Sequence, residues 1–281
     1  MTILVSGARG SVGRGVLDAL LAAGIPPTEL CGTGRDPSQL ALPDGVDAVA
    51  LDLDDPATHD AALRGVDQVF CYTARDLGPF ADAARRAGVE HVVLLSSLSV
   101  EEDGAESDGI ARHHLEAERT LRGAGLTTTA VRPGAFDTNA RQWAREIRAD
   151  GVVTLPYPQA TTAPIHEADI AGVAAAALLD PAHRGADLPL SGPESLTFAE
   201  QVGVLGEATG LDVGVREIDP ATAREQMAQR VPEPIVDSLF RLWANADGVL
   251  TGVHDTVQRV TGRPARTFAS WAREHRDEFT G

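Results

Sequence analysis

Lysine is absent from this 281-residue chain; all 24 of its basic residues are arginine. That excludes a Schiff-base lysine and any proton relay built on a tyrosine–lysine pair. Tyrosine is scarce as well, with Tyr72 and Tyr157 alone. The two cysteines, Cys31 and Cys71, are too few for a disulfide framework and lack metal-ligand spacing. Both fall in apolar runs and read as buried thiols. No apolar run approaches the ~20 residues that span a bilayer. The start, Met1-Thr2-Ile3-Leu4-Val5, lacks the basic region of a signal peptide, so the expected location is cytoplasmic and no membrane partner is expected. A net charge of −17 repels polyanions and weighs against a nucleic-acid partner. A small molecule is the expected partner, with a homodimer left open.

Short apolar runs alternate with helix-length segments through the first half, the pattern of βαβ units and a parallel sheet. Strands are expected at 2–6, 30–34, 48–51, 68–73, 91–96 and 127–131, with helices at 12–23, 58–64, 80–87 and 110–122. The acidic, glycine-containing interval 99–109 reads as a flexible loop over the strand ends. Beyond Arg132 the order is less regular. Helices are expected at 169–179, 198–209, 220–229 and 268–275, and strands at 188–190 and 213–218.

Gly7-Ala8-Arg9-Gly10-Ser11-Val12-Gly13 joins the first strand to the first helix. Its glycines allow a tight turn, close approach to a pyrophosphate and close helix–strand packing, and the helix amino terminus then faces the anion. The fold class is therefore α/β, a Rossmann-type doubly wound parallel sheet with a small carboxy-terminal α/β substrate lobe. Residues 1–153 form the dinucleotide-binding domain, completed by segments near 165–192, and residues 154–281 form the lobe. A domain for NAD tends to carry a carboxylate about 20 residues beyond the loop. Here Gly34 stands there, followed by Arg35, which suits a 2′-phosphate, and Arg9 supplies a second cation. NADP(H) is favoured over NAD(H), and no metal is expected. Asp52 and Leu53 either flank the adenine or, for Asp52, cap a helix.

Further segments are His91-Val-Val-Leu-Leu-Ser-Ser97, His114-Leu-Glu-Ala-Glu118, Val131-Arg-Pro-Gly-Ala-Phe136 with Asn139, Pro164-Ile-His-Glu-Ala-Asp-Ile-Ala171 and Leu190-Ser-Gly-Pro193. In this order the chain resembles the NmrA-like group of atypical short-chain dehydrogenase/reductases, especially its NADPH-dependent quinone oxidoreductase branch. The resemblance covers nearly the whole chain. It implies a cofactor held at the strand carboxyl ends and a lobe closing over the substrate. It leaves open whether the protein turns over, since some members are NADP-binding redox regulators. Counted from Ser97 with the spacing of short-chain reductases, the tyrosine position falls on Ile110 and the lysine position on His114. Ile110 carries no proton, so the usual relay is absent.

The resemblance makes His114 a ribose ligand or a general acid near neutral pH. His113, its neighbour, points elsewhere around the helix. Ser97 is a candidate to hydrogen-bond a substrate oxygen, and Tyr72 either a catalytic acid or a core side chain. Thr73, Ala74, Ser96, Pro133 and Gly134 are expected beside the cofactor, and Phe136, Asn139 and Trp143 at the substrate mouth. The leading reading is hydride transfer from NADPH to a quinone, enone or related conjugated carbonyl. The alternatives are a non-catalytic NADP(H) sensor that binds a protein partner, and a specialised-metabolism enzyme that uses the same fold.

Overall fold

The computed structural model describes residues 1–281. Its first half runs β1 (Ile3–Val5), α1 (Ser11–Ala22), β2 (Leu30–Gly34), β3 (Asp47–Ala50), α2 (His59–Ala62), β4 (Gln68–Tyr72), α3 (Gly78–Ala87), β5 (His91–Leu95), α4 (Gly109–Gly123) and β6 (Thr127–Pro133). Then follow α5 (Ala144–Asp150), β7 (Val152–Leu155), β8 (Thr161–Thr162), α6 (Glu167–Leu179) and β9 (Asp187–Leu190). The chain closes with β10 (Leu196–Thr197), α7 (Phe198–Thr209), β11 (Gly214–Glu217), α8 (Pro220–Ala228), α9 (Glu233–Ala246), α10 (Thr256–Thr261), α11 (Phe268–Glu274) and α12 (Asp277–Thr280).

Seven strands form one parallel sheet in the order β3-β2-β1-β4-β5-β6-β9. The near-continuous apolar runs Ile3-Leu4-Val5 and Val92-Val93-Leu94 are what a sheet covered on both faces demands. One face is sealed by α1 and α6, through Val16, Leu17, Leu20, Ile170 and Val173. The other is sealed by α2, α3 and α4, through Leu63, Phe80, Ala84 and Leu121. The chain order reverses between β1 and β4, and such a switch point opens a crevice at the strand carboxyl ends.

The lobe has its own core of Trp143, Ile147, Val153, Leu155, Val202, Leu205, Phe268, Trp271 and Phe279. Beside it lie two small pairings, β7 with β11 in parallel and β8 with β10 antiparallel. The structure adds α5, β7, β8, β10 and α12, which the sequence reading did not assign, and departs from it in two longer stretches. The interval 99–109 is not an open loop, since 3-10 turns occupy Leu98–Glu101 and Ala105–Ser107. The stretch 230–267, given no element from sequence, contains α9 and α10. Prolines at 232 and 234 mask α9 on reading, yet proline is tolerated in a first helical turn. Cys71 is buried, its thiol pushed up to about 12 by burial. Cys31 is only half-buried, because its neighbour β3 is an edge strand with three exposed residues. No helix is long and apolar enough to cross a membrane.

Candidate active site

The loop after β1 is shaped by two glycines. Gly7 adopts φ +66°, and a Cβ at Gly13 would stand 2.3 Å from the Gly7 carbonyl oxygen, so neither position admits a side chain without rearrangement. Gly10 N–H donates to the Gly7 carbonyl at 2.8 Å and Ala8 N–H to Thr33 O at 3.2 Å, which fixes the turn. The helix behind it, 12 residues long, has no side-chain cap at Gly10, so its amino-terminal amides stay free for an anion. The hydroxyls of Ser6 and Thr33 are buried beside the loop with no partner. A close backbone cradle, free amides and two unpaired hydroxyls fit a dinucleotide pyrophosphate.

Ala8 and Val12 turn their side chains into the core and offer backbone only, whereas Arg9, Gly10 and Ser11 are exposed. Arg35 is exposed just past β2. Asp52 accepts from Asp54 N–H at 3.0 Å, making a local turn, and does not cap a helix; that part falls to Asp55, which accepts from Ala57 N–H. Leu53 is buried in the sheet core, so it offers the crevice nothing but backbone.

Tyr72 is not a core side chain. It is 43% exposed, with its ring 3.1 Å from where a Gly7 Cβ would be. Its pKa is raised by burial of the ring's inner part and by Asp52, against the pull of Arg35. The phenol packs on the glycine loop and shares the field of Arg35, Asp52 and Asp54. Thr73 and Ala74 follow it, both half-buried.

At the end of β5 the two serines diverge. Ser96 is buried and its hydroxyl donates to Glu118 Oε1 at 2.6 Å, so its side chain is engaged inward. Ser97 is half-buried and accepts from Ser99 N–H at 3.2 Å, with the two hydroxyls 2.9 Å apart. Its oxygen caps the Leu98–Glu101 turn and keeps capacity for one more bond. Helix α4 is begun by Asp108, which accepts from Ile110 and Ala111 N–H and pairs with Arg241 at 2.7 Å. His113 and His114 meet edge-to-face, ring centroids 5.7 Å apart. His114 Nδ1 is buried without a partner. Burial, then the His113 charge, pushes the His114 imidazole down to about 4. An imidazole held down in this way is neutral at pH 7 and offers a hydrogen-bonding ring.

One helical turn further, Glu118 joins a network that sequence reading missed. Arg132 Nε and Nη2 donate to its two oxygens at 2.9 and 2.7 Å. Arg132 also pairs with Glu101 at 3.0 Å and Asp187 at 2.8 Å. Burial alone would raise the Glu118 carboxyl, but hydrogen bonds from Arg132 and Ser96 outweigh it and hold the group ionised. The network clamps the ends of β5, β6 and β9 to α4. Beyond it, Pro133 is buried and Gly134 N–H donates to Leu190 O at 2.9 Å, beside Leu98.

The three expected substrate residues do not converge. Phe136 packs on the sheet core and bridges Ile165. Asn139 is exposed. Trp143 lies in the lobe core, edge-to-face with Phe198 at 6.0 Å. It lines a cleft of about 310 Å³ with Phe198, Met227, Phe240 and Trp243, and no cofactor-loop residue reaches that cleft. Between Phe136 and Asn139 stands Asp137, fully buried, both oxygens unpartnered. Burial, then Glu167, Asp169 and Glu274, pushes its carboxyl up to about 8.

Comparison with known proteins agrees with this geometry. Residues 7–181 match the NAD(P)H-binding family. The chain is 39% identical over 283 residues to a (4-alkanoyl-5-oxo-2,5-dihydrofuran-3-yl)methyl phosphate reductase of Streptomyces griseus, covering 99% of both chains. It is 35% identical over 285 residues to an NAD(P)H azoreductase of Xenophilus azovorans, again covering 99% of both. Its fold matches the crystal structure of an NADPH-dependent quinone oxidoreductase from Escherichia coli, complexed with NADPH, at a TM-score of 0.82 and 24% identity, covering 97% of this chain and 99% of that one. The chain belongs to the NAD(P)H-binding family and is an NAD(P)H-dependent oxidoreductase acting on small organic substrates.

Proposed function

We propose that this oxidoreductase takes NADPH in preference to NADH and reduces a quinone, enone or related conjugated carbonyl without a tyrosine–lysine proton relay, as an NmrA-like protein of the quinone-oxidoreductase branch. The carrying observation is His114, a neutral imidazole with a buried free Nδ1 where a lysine would stand, on a helix whose tyrosine position is Ile110. Bound NADPH supplies the hydride. On this reading no side chain gives a proton at the same moment, so the acceptor stabilises negative charge by conjugation and takes its proton from water. His114 donates or accepts a hydrogen bond toward the nicotinamide ribose or the acceptor oxygen, and Ser97 Oγ supplies a second polar contact. The free amides of α1 hold the pyrophosphate, and Arg35 with Arg9 pairs a 2′-phosphate. The Streptomyces relative supports this class of acceptor, since the compound in its name has a ring double bond conjugated with a carbonyl.

The test is fluorescence titration with NADPH and NADH, then turnover on a panel of quinones, enones and acyl butenolides. Expected are tighter binding of NADPH, its oxidation by some of the panel, and a kcat lowered roughly 10- to 100-fold in His114→Ala with NADPH affinity changed less. Tight NADPH binding with no oxidation across the panel would sink the acceptor class, and equal affinity for NADH would sink the cofactor preference.

A further inference from the structure

Of the eight large apolar side chains left exposed, three lie in one five-residue stretch of the α9–α10 connection: Val249 at 57%, Leu250 at 82% and Val253 at 53%. A loop free to move hides such residues by collapsing, but this one is pinned. Gly248 N–H donates to Gln159 O at 3.1 Å, and the Thr161 hydroxyl donates to the Val249 carbonyl. Thr251 N–H donates to Thr161 Oγ1 and to Ser195 Oγ, both at 3.0 Å. His254 N–H donates to Ser191 Oγ at 2.8 Å. The backbone's polar groups are satisfied inward while the apolar side chains are held outward.

The anchors say what that face looks onto. Ser191 directly follows Leu190, the residue whose carbonyl receives Gly134 N–H at 2.9 Å, so the loop is fastened to the carboxyl end of β9 next to the Pro133–Gly134 turn. Strands β6 and β9 lie beyond β5 and away from the phosphate loop, and in a doubly wound dinucleotide fold that half of the sheet is the one that takes the nicotinamide. We propose that Val249, Leu250 and Val253 form the specificity wall of the acceptor site and receive an uncharged alkyl chain carried by the acceptor. The assignment rests on the hydride-transfer reading and names the substrate feature that reading leaves open. Asp247 and Asp255, exposed at the two ends of the loop, disfavour an anionic tail. Three side chains offer far less than the ~800 Å² per partner of a stable protein interface, yet suit an alkyl chain laid along them.

The experiment compares a benzoquinone carrying a decyl chain with its methyl counterpart, using the full chain and NADPH. The wild type is expected to favour the decyl compound, and the decyl-to-methyl ratio of kcat/KM to fall about tenfold in the double variant Leu250→Ser/Val253→Ser. An unchanged ratio overturns the inference. If neither quinone turns over, the hydride-transfer reading fails separately. Calorimetric titration of the decyl quinone into the NADP⁺-loaded protein then decides: weaker binding by the variant upholds the wall, and equal or absent binding overturns it. A changed oligomeric state with both quinone measurements unaltered assigns the face to a contact between copies, and overturns it too.

Discussion

Asp137 and the His114 Nδ1 are buried without a partner, and the lost hydration is the largest cause holding each group neutral. The effect on stability follows from which state holds the proton. Asp137 in the folded protein titrates at about 8, whereas an unfolded aspartate does so near ~4. Below about pH 4 both states are protonated and the folded state keeps its full stability. Between about 4 and 8 the unfolded chain gains from ionising and stability falls, by up to about 1.4 kcal/mol per pH unit, levelling off above 8. Asp137→Asn, neutral throughout, is expected to match the wild type near pH 4 and to exceed it by a few kcal/mol at pH 8, read as the midpoint of denaturant unfolding. A difference that stays constant from pH 5 to pH 8 would show that the carboxyl does not carry this cost.

Elements were legible in proportion to how local their cause is. Strands β1, β4, β5 and β6 stand out as apolar runs because a parallel sheet is buried on both faces, and α1 announces itself through the glycines before it. Helix α9 did not, because prolines stand at its start and two of the elements it packs on, α4 and β8, lie far back in the chain. The cofactor loop was readable for the same local reason. The failures at the site were long-range: Ser96 and Ser97 look equivalent in sequence, and only the position of Glu118 on α4 decides that Ser96 turns inward. Nor does a sequence say that Arg132 clamps α4 to three strand ends. This clamp predicts a large single-mutant effect. Glu118→Gln leaves the buried Arg132 without its main counterion, which costs on the order of 3 kcal/mol. At roughly 2–4 °C per kcal/mol for a chain of this size, the thermal midpoint drops by about 10 °C. Glu118→Leu with Arg132→Met, which removes both charges, recovers much of that loss. A single variant within about 1 kcal/mol of wild type would mean the clamp is ornamental.

At the scale of the whole chain, a net charge of −17 opposes the approach of a dinucleotide that is itself an anion. On the proposed assignment, binding depends on local positive features, the free amides of α1 with the exposed Arg9 and Arg35, and a cofactor lacking the 2′-phosphate would forgo the arginine contacts. The two cores are not separate in energy. Helix α10 packs on α6, Arg266 pairs with Asp169 at the start of α6, and His166 approaches Glu274 of α11 at 3.2 Å. A ligand that grips the strand ends should therefore stabilise the lobe as well. With NADPH at about 100 times its dissociation constant, the gain is about 2.7 kcal/mol. For a protein of this length that raises the midpoint by roughly 5 to 10 °C. The expected record is one cooperative transition displaced upward by NADPH, and displaced less by NADH at the same concentration. Two transitions, only the first of them moved by NADPH, would mean that α6 does not couple the sheet to the lobe.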